Sequence, residues 1–140
     1  MELQKSVIFD LITKANDARR FAYTPYSEFK VGAALLLTDG EVVTGCNIEN
    51  AAYGPTNCAE RTAFFKAISE GNTSFKAIAV VGGKGPEPED YAYPCGVCRQ
   101  VMAEFCDGDF LIVMGSPYSP EVYTLDEILP LSFGKGEMNI

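Results

Sequence analysis

Residues 76–114, KAIAVVGGKGPEPEDYAYPCGVCRQVMAEFCDGDFLIVM, carry the decision on fold. KAIAVVG (76–82) is short, apolar and β-branched at Ile78, Val80 and Val81, the pattern of an interior strand. GKGPEPEDYAYP (83–94) reads as a loop, because Gly and Pro punctuate regular structure. Residues 95–106 then bring Val97, Val101, Met102 and Phe105 to helical spacing, and FLIVM (110–114) is a second apolar strand. A strand, a helix and a strand in that order form a crossover. Such a unit pairs its strands in parallel and packs the helix on a sheet face.

Working outward, Leu3, Val7, Ile8, Leu11, Ile12, Ala15 and Ala22 recur at three- and four-residue steps, so residues 2–22 read as an amphipathic helix stopped by Pro25. VGAALLLT (31–38) and EVVTGC (41–46) flank Asp39-Gly40, a two-residue hairpin turn, and the unbroken apolar run of the first predicts burial on both faces. After the turn-rich NIENAAYGPTN (47–57), a helix near 58–70 points Ala63, Phe64, Ala67 and Ile68 inward and ends at Gly71. With the strand at 76–82 this makes a second strand–helix–strand crossover. EVYT (121–124) is an edge strand and LDEILP (125–130) a helical turn. The expected fold is α/β: a three-layer α/β/α sandwich with a mixed five-stranded sheet, as a single domain over residues 1–140 without repeats or linker.

Composition narrows the partners. The net charge is −8, and the eleven Lys and Arg are scattered, with Arg19-Arg20 the one basic pair, at the end of a helix where cations suit the dipole. Polynucleotide binding draws on clustered cations, so no nucleic acid is expected as partner, and a small neutral or cationic ligand fits better. No apolar run approaches the roughly 20 residues of a membrane span, and MELQKSVIFDLITK mixes charge with apolar residues unlike a secretory leader. A cytoplasmic protein with no membrane partner is expected. Its five cysteines are then reduced thiols, and with no histidine in the chain a transition metal must find sulfur or carboxylate.

Three of those cysteines stand where two helices begin: Cys58 at the second, Cys95 and Cys98 in Pro94-Cys95-Gly96-Val97-Cys98 at the third. The crossovers place both helix starts at one sheet edge, where α/β proteins build sites and where the positive ends of two helices favour thiolates. Three thiolates on Zn²⁺ leave a fourth tetrahedral position open, the arrangement of a catalytic centre. Two other arrangements suit the same residues: a thioredoxin-like redox pair at Cys95 and Cys98, or a closed structural site with Cys46 as fourth ligand. Cys46 and Cys106 read more simply as small buried hydrophobes. Asn57-Cys58-Ala59-Glu60 also matches a capping box, in which Glu60 binds backbone N–H.

The combination separates these readings. NIENAAYGPTNCAERTAFFKAISEG (47–71) with PCGVCRQVMAEF (94–105), PYSEFKVGAALL (25–36) and ILPLSF (128–133) resembles the short, homotetrameric cytidine deaminases over most of the chain. The resemblance implies one zinc ion per subunit on Cys58, Cys95 and Cys98, with Glu60 as the catalytic proton carrier and not a ligand. It implies hydrolytic deamination of free cytidine and deoxycytidine in pyrimidine salvage. It also implies that Asn47 and Glu49 hydrogen-bond the ribose, that Phe29 packs on the pyrimidine and that Ala59 borders the same pocket. Ala51, Tyr53 and Phe133 are similar to residues that reach a neighbouring subunit's site in a homotetramer. Gln100 is expected to help orient the site.

Three thiolates outnumber the charge of the metal, and an electron-rich zinc acidifies water less well. Arg61, three residues after Cys58 and so on the same helix face, is expected to donate to the sulfurs and withdraw charge. The rivals to this scheme are a deaminase of another cytosine-bearing compound, a nucleic-acid deaminase, a thiol–disulfide oxidoreductase and a structural zinc module.

Overall fold

Helix α1 (Lys5–Ala18) turns Leu11, Ile12, Ala15 and Ala18 inward. In the computed structural model, which describes residues 2–88 and 92–138, it is shorter than its periodicity predicts and tightens into a 3₁₀ turn over Arg19–Phe21. The cause is Arg19, only 4% exposed. Its guanidinium donates to the carbonyls of Lys30 (2.9 Å), Gly83 (2.7 Å), Gly85 (2.7 Å) and Pro86 (3.3 Å) and to Asn16 Oδ1 (2.8 Å). Carbonyl acceptors satisfy this buried fork and offset its desolvation. A side chain drawn inward to them ends the regular helix well before Pro25. Of the basic pair, Arg20 alone stays exposed at the helix end, where its Nε donates to the Asp17 carbonyl.

Strands β1 (Lys30–Leu37) and β2 (Val42–Cys46) form the hairpin, and β1 is buried from Gly32 to Leu37 as its apolar run requires. The connection is one residue longer than the two-residue turn predicted. Leu37 N donates to Glu41 O (2.9 Å), leaving Thr38–Gly40 as a three-residue loop. Gly40, at φ 95°, takes the left-handed position that this loop demands and that glycine fills without strain.

Helix α2 (Ala59–Ser69), strand β3 (Phe75–Gly83), helix α3 (Gly96–Phe105), and strands β4 (Leu111–Ser116) and β5 (Ser119–Thr124) follow in the predicted order. Helix α4 (Leu125–Ile128) and a 3₁₀ turn over Lys135–Met138, which the sequence did not announce, close the chain. Of the loop read at 83–94, Gly83 belongs to β3, and residues 89–91 lie outside the described residues. The sheet order is β2-β1-β3-β4-β5. The pair β3–β4 is parallel, and the other three neighbouring pairs are antiparallel. Both crossovers exist, but only β3–α3–β4 joins neighbours. In β2–α2–β3 the two strands point the same way with β1 lying between them.

Two apolar layers flank the sheet. Residues Leu11, Ile12 and Ala15 of α1 pack on Ala34, Leu36, Ala77, Ala79, Val81, Leu111 and Val113. On the opposite face Ala63, Phe64 and Ala67 of α2 and Met102 of α3 cover Ala33, Leu35, Ile78, Val80, Ile112 and Met114. Alternate residues of each strand serve opposite layers, the period-two rule of a pleated strand. The α/β/α sandwich is therefore as expected, with α1 alone on its side. Among the described residues no helix is long and apolar enough to cross a membrane.

Candidate metal centre and cleft

The pairing of Gly32 with Cys46 and of Lys30 with Gly83 brings the C-terminal ends of β2 and β3 to one edge of the sheet. Helices α2 and α3 both begin there, each with a cysteine as its N-cap residue: Cys58 and Cys95. The Cys58 and Cys95 sulfurs lie 3.7 Å apart, and with Cys98 all three fall within 4.8 Å of one another. All are free thiols, far beyond the ~2.05 Å of a disulfide. Cys46 is not in the cluster that could hold a metal among the described residues, so the closed four-cysteine site does not form.

The donor set fits zinc. Tetrahedral sulfur ligands about 2.3 Å from zinc stand about 3.8 Å apart, close to the Cys58–Cys95 separation. The charges agree. Cys58 is lowered to about 5, first by the hydrogen bond from Cys98, against the cost of burial, and then by Arg61 and Cys95. Cys98 is pushed up in return, first by its hydrogen bond to Cys58 and then by burial. Ionising Cys58 thus holds the proton on Cys98, and a divalent cation at their centre would relieve that opposition and favour thiolates.

Arg61 Nη2 donates to Cys58 Sγ at 3.3 Å, one helical turn away as the spacing requires. Burial works against its charge, but Cys58 and Cys98 outweigh it and push its pKa up. Arg99 secures the start of α3. Its Nε donates to the Pro94 carbonyl (2.8 Å) and its Nη1 to that of Ile128 (2.6 Å), tying the Pro94-Cys95 corner to the end of α4.

Glu60 lies in the first turn of α2 and is only 4% exposed. The capping box does not form: Cys58 is the N-cap without a side-chain cap bond, and Asn57 Nδ2 donates instead to Thr62 Oγ1 (3.0 Å). Burial first, and then the neighbouring Cys58 charge, raise the Glu60 carboxyl to about 7 against hydrogen bonds that favour its ionised form. A true capping box appears at α4, where Thr124 and Glu127 satisfy each other's backbone N–H.

Beside the sulfurs opens a cleft of about 400 Å³ lined by Phe29, Asn47, Glu49, Cys58, Ala59, Glu60 and Cys95 among others. The Phe29 ring rests on Gly82, where an added Cβ would stand 2.8 Å from it. The Asn47 side chain splices onto β1, accepting from Val31 N (2.8 Å) and donating to Phe29 O (2.9 Å). The cleft walls also include Val31, Thr56, Val80, Ala92 and Tyr93, none of which the sequence singled out. Val31 and Val80 read only as core strand residues, and nothing local marks the others.

Ala51, Tyr53 and Phe133 stand outside this lining, all exposed; Tyr53 is 78% exposed at φ 62° and Phe133 59% exposed. Gln100 is exposed and donates to the Phe133 carbonyl (2.7 Å), tying the C-terminal segment to α3.

Comparison with known proteins agrees with the geometry. Residues 6–114 match the model of the cytidine and deoxycytidylate deaminase zinc-binding region. The chain is 51% identical to a cytidine deaminase of Sporosarcina psychrophila, over 92% of this chain and 93% of that protein. It is 53% identical to that of Halalkalibacterium halodurans, over 92% and 96%. The crystal structure of cytidine deaminase from Burkholderia pseudomallei superposes with a TM-score of 0.80 at 47% identity, covering 89% of this chain and 97% of that one. A three-sulfur centre beside a buried carboxylate, at the edge of this particular sheet, thus has a lineage as well as a geometry: the chain belongs to the zinc-binding cytidine and deoxycytidylate deaminase family.

Proposed function

We propose that this protein hydrolyses free cytidine and deoxycytidine to uridine and deoxyuridine plus ammonia, a reaction of pyrimidine salvage. The observation that carries the reading is Glu60, buried and raised to about 7, in a cleft bordered by Cys58 and Cys95 of the three converging sulfurs. Zinc held by Cys58, Cys95 and Cys98 supplies a Lewis acid that brings the pKa of water towards about 7. Glu60 does the rest of the proton work. As carboxylate it accepts a proton from the attacking water and, as acid, delivers it to ring nitrogen 3. It then carries the second water proton to the amine, which leaves as ammonia while carbon 4 becomes a carbonyl. A group with a pKa near the working pH suits both halves of that task.

Phe29 packs against the base, Ala59 borders it, and Asn47 and Glu49 take the sugar hydroxyls, while Arg61 draws charge from the sulfurs. Ala51, Tyr53 and Phe133 complete a neighbour's cleft in a homotetramer. Their exposure is consistent with that role, since large exposed apolar groups favour association. The enzyme works in the cytoplasm. The test is zinc content and cytidine turnover, followed by ultraviolet absorbance, in one preparation of parent and Glu60→Gln protein. Turnover should fall at least about 10²-fold with zinc retained. Full activity in Glu60→Gln, or no uridine from the zinc-loaded parent, refutes the reading.

A further inference from the structure

The cleft residue Glu49 is not free to choose its direction. Its backbone is pinned by Glu49 N donating to Tyr23 O (2.8 Å). Its Oε1 accepts from the backbone N–H groups of Tyr26 (3.0 Å) and Ser27 (3.2 Å). Its Oε2 accepts from the Ser27 hydroxyl in a short contact. That hydroxyl already accepts from Phe29 N (3.0 Å), so its single proton is committed to the carboxylate. The turn that presents these donors is closed by Glu28 N donating to Thr24 O (3.1 Å) and holds Glu28 at φ 59°.

We propose that Ser27 is a positioning residue: with the two turn amides it fixes Glu49 as an acceptor aimed at a hydroxyl of the ligand, and it locks that acceptor in register with Phe29. The neighbouring Asn47 amide spends one N–H on Phe29 O, and its second N–H has no partner among the described residues. A fixed acceptor beside a spare donor is the complement of a hydroxyl group, which donates to one and accepts from the other. The Glu49 carboxyl also sits below the usual range, chiefly through the Ser27 hydroxyl, then against some burial, through the turn amides and Lys30. An ionised carboxylate only accepts, so the site reads donors. Without Ser27, Oε2 loses its partner and the carboxylate regains rotamer freedom that binding must remove again.

This inference rests on the proposed nucleoside reaction, and its test separates the two. Turnover of cytidine and of 2′,3′-dideoxycytidine is measured for the parent, Ser27→Ala and Ser27→Thr. Alongside, the Glu49 carboxyl is titrated by carbon-13 NMR without ligand. Ser27→Ala should lose about tenfold in kcat/KM for cytidine, the scale of one hydrogen bond to a charged group, and lose it mainly through KM. Dideoxycytidine should be unaffected, and Ser27→Thr should restore the preference. The Glu49 titration should move upward in Ser27→Ala. Equal losses on both substrates would mean a merely structural role, and an unmoved titration would mean no hold on the carboxylate; either overturns the proposal. A parent that turns over neither substrate, with the titration moved as expected, would instead refute the reaction and leave the Ser27 contact standing.

Discussion

Gly45 offers a mechanical test of how the metal centre is held. It is buried on β2, and a Cβ added there would lie 2.6 Å from Ala59 O and 2.6 Å from Ala63 N. Ordinary contact begins near 3.4 Å, so in Gly45→Ala the first turn of α2 must retreat by about 0.8 Å. That turn is no passive neighbour: it starts at Cys58 and contains Glu60. Functional constellations tolerate displacements of about 0.5 Å, so the sulfurs and the carboxylate should lose their register with α3. Overpacking of this kind costs about 1–3 kcal/mol, which lowers Tm by roughly 3–10 °C at this chain length. A misplacement near 1 Å costs on the order of 10²-fold in rate. Gly96→Ala is the control. It lies beside Cys95 in α3, yet an added Cβ there meets nothing within 4 Å, and alanine favours helix. Calorimetry, zinc content and cytidine turnover on both variants decide the matter. Gly45→Ala as stable and active as the parent, or Gly96→Ala equally damaged, would refute the claim that backbone contact between β2 and α2 sets the site.

Arg61→Ala should weaken zinc binding or turnover by about 10–100-fold, checked by competition with a chelating dye and by kcat, with Arg61→Lys intermediate because a single ammonium replaces the fork. Arg19→Ala removes a buried cation from four carbonyls and Asn16, and should destabilise the fold by at least about 3 kcal/mol in urea titrations. For Glu49 the folded carboxyl lies below its unfolded value of about 4.3. Its contribution to stability is therefore complete above that value and fades as pH falls through the lower folded one. The stability difference between parent and Glu49→Gln, measured from pH 6 downward, should shrink in that window, and a difference that grows with acid would contradict the sign.

Much of this molecule is legible along the chain because its signals are local. The apolar run at 31–37 and the 76–82 strand announce buried strands, and both occur. Cys58, Cys95 and Cys98 could be placed together from the crossovers alone, since a helix start is set by the strand before it. What stayed hidden depends on partners distant in sequence. The early end of α1 comes from Arg19 meeting carbonyls at positions 83–86. The insertion of β1 between β2 and β3 is a choice of strand order, which periodicity does not encode. Glu60 and Asn57 fit a capping pattern that tertiary structure overrides, while Thr124 and Glu127 realise the same pattern where nothing competes. Ser27 lies in PYSEFKVGAALL, yet no local rule says that its hydroxyl turns towards a residue 22 positions on.

The Arg19 clasp has a consequence for the order of assembly. Its acceptors at Gly83, Gly85 and Pro86 lie 64, 66 and 67 residues downstream. A growing chain exposes this cation long before those carbonyls have been synthesised, and loop closure over such a span is entropically costly. Until the third strand arrives, α1 has a charge on its inward side and lacks Ala77, Ala79 and Val81 beneath it. Helix α1, synthesised before these acceptors, is therefore fastened late, and a nascent chain interrupted before residue 83 lacks the carbonyls of Gly83, Gly85 and Pro86 that grip Arg19.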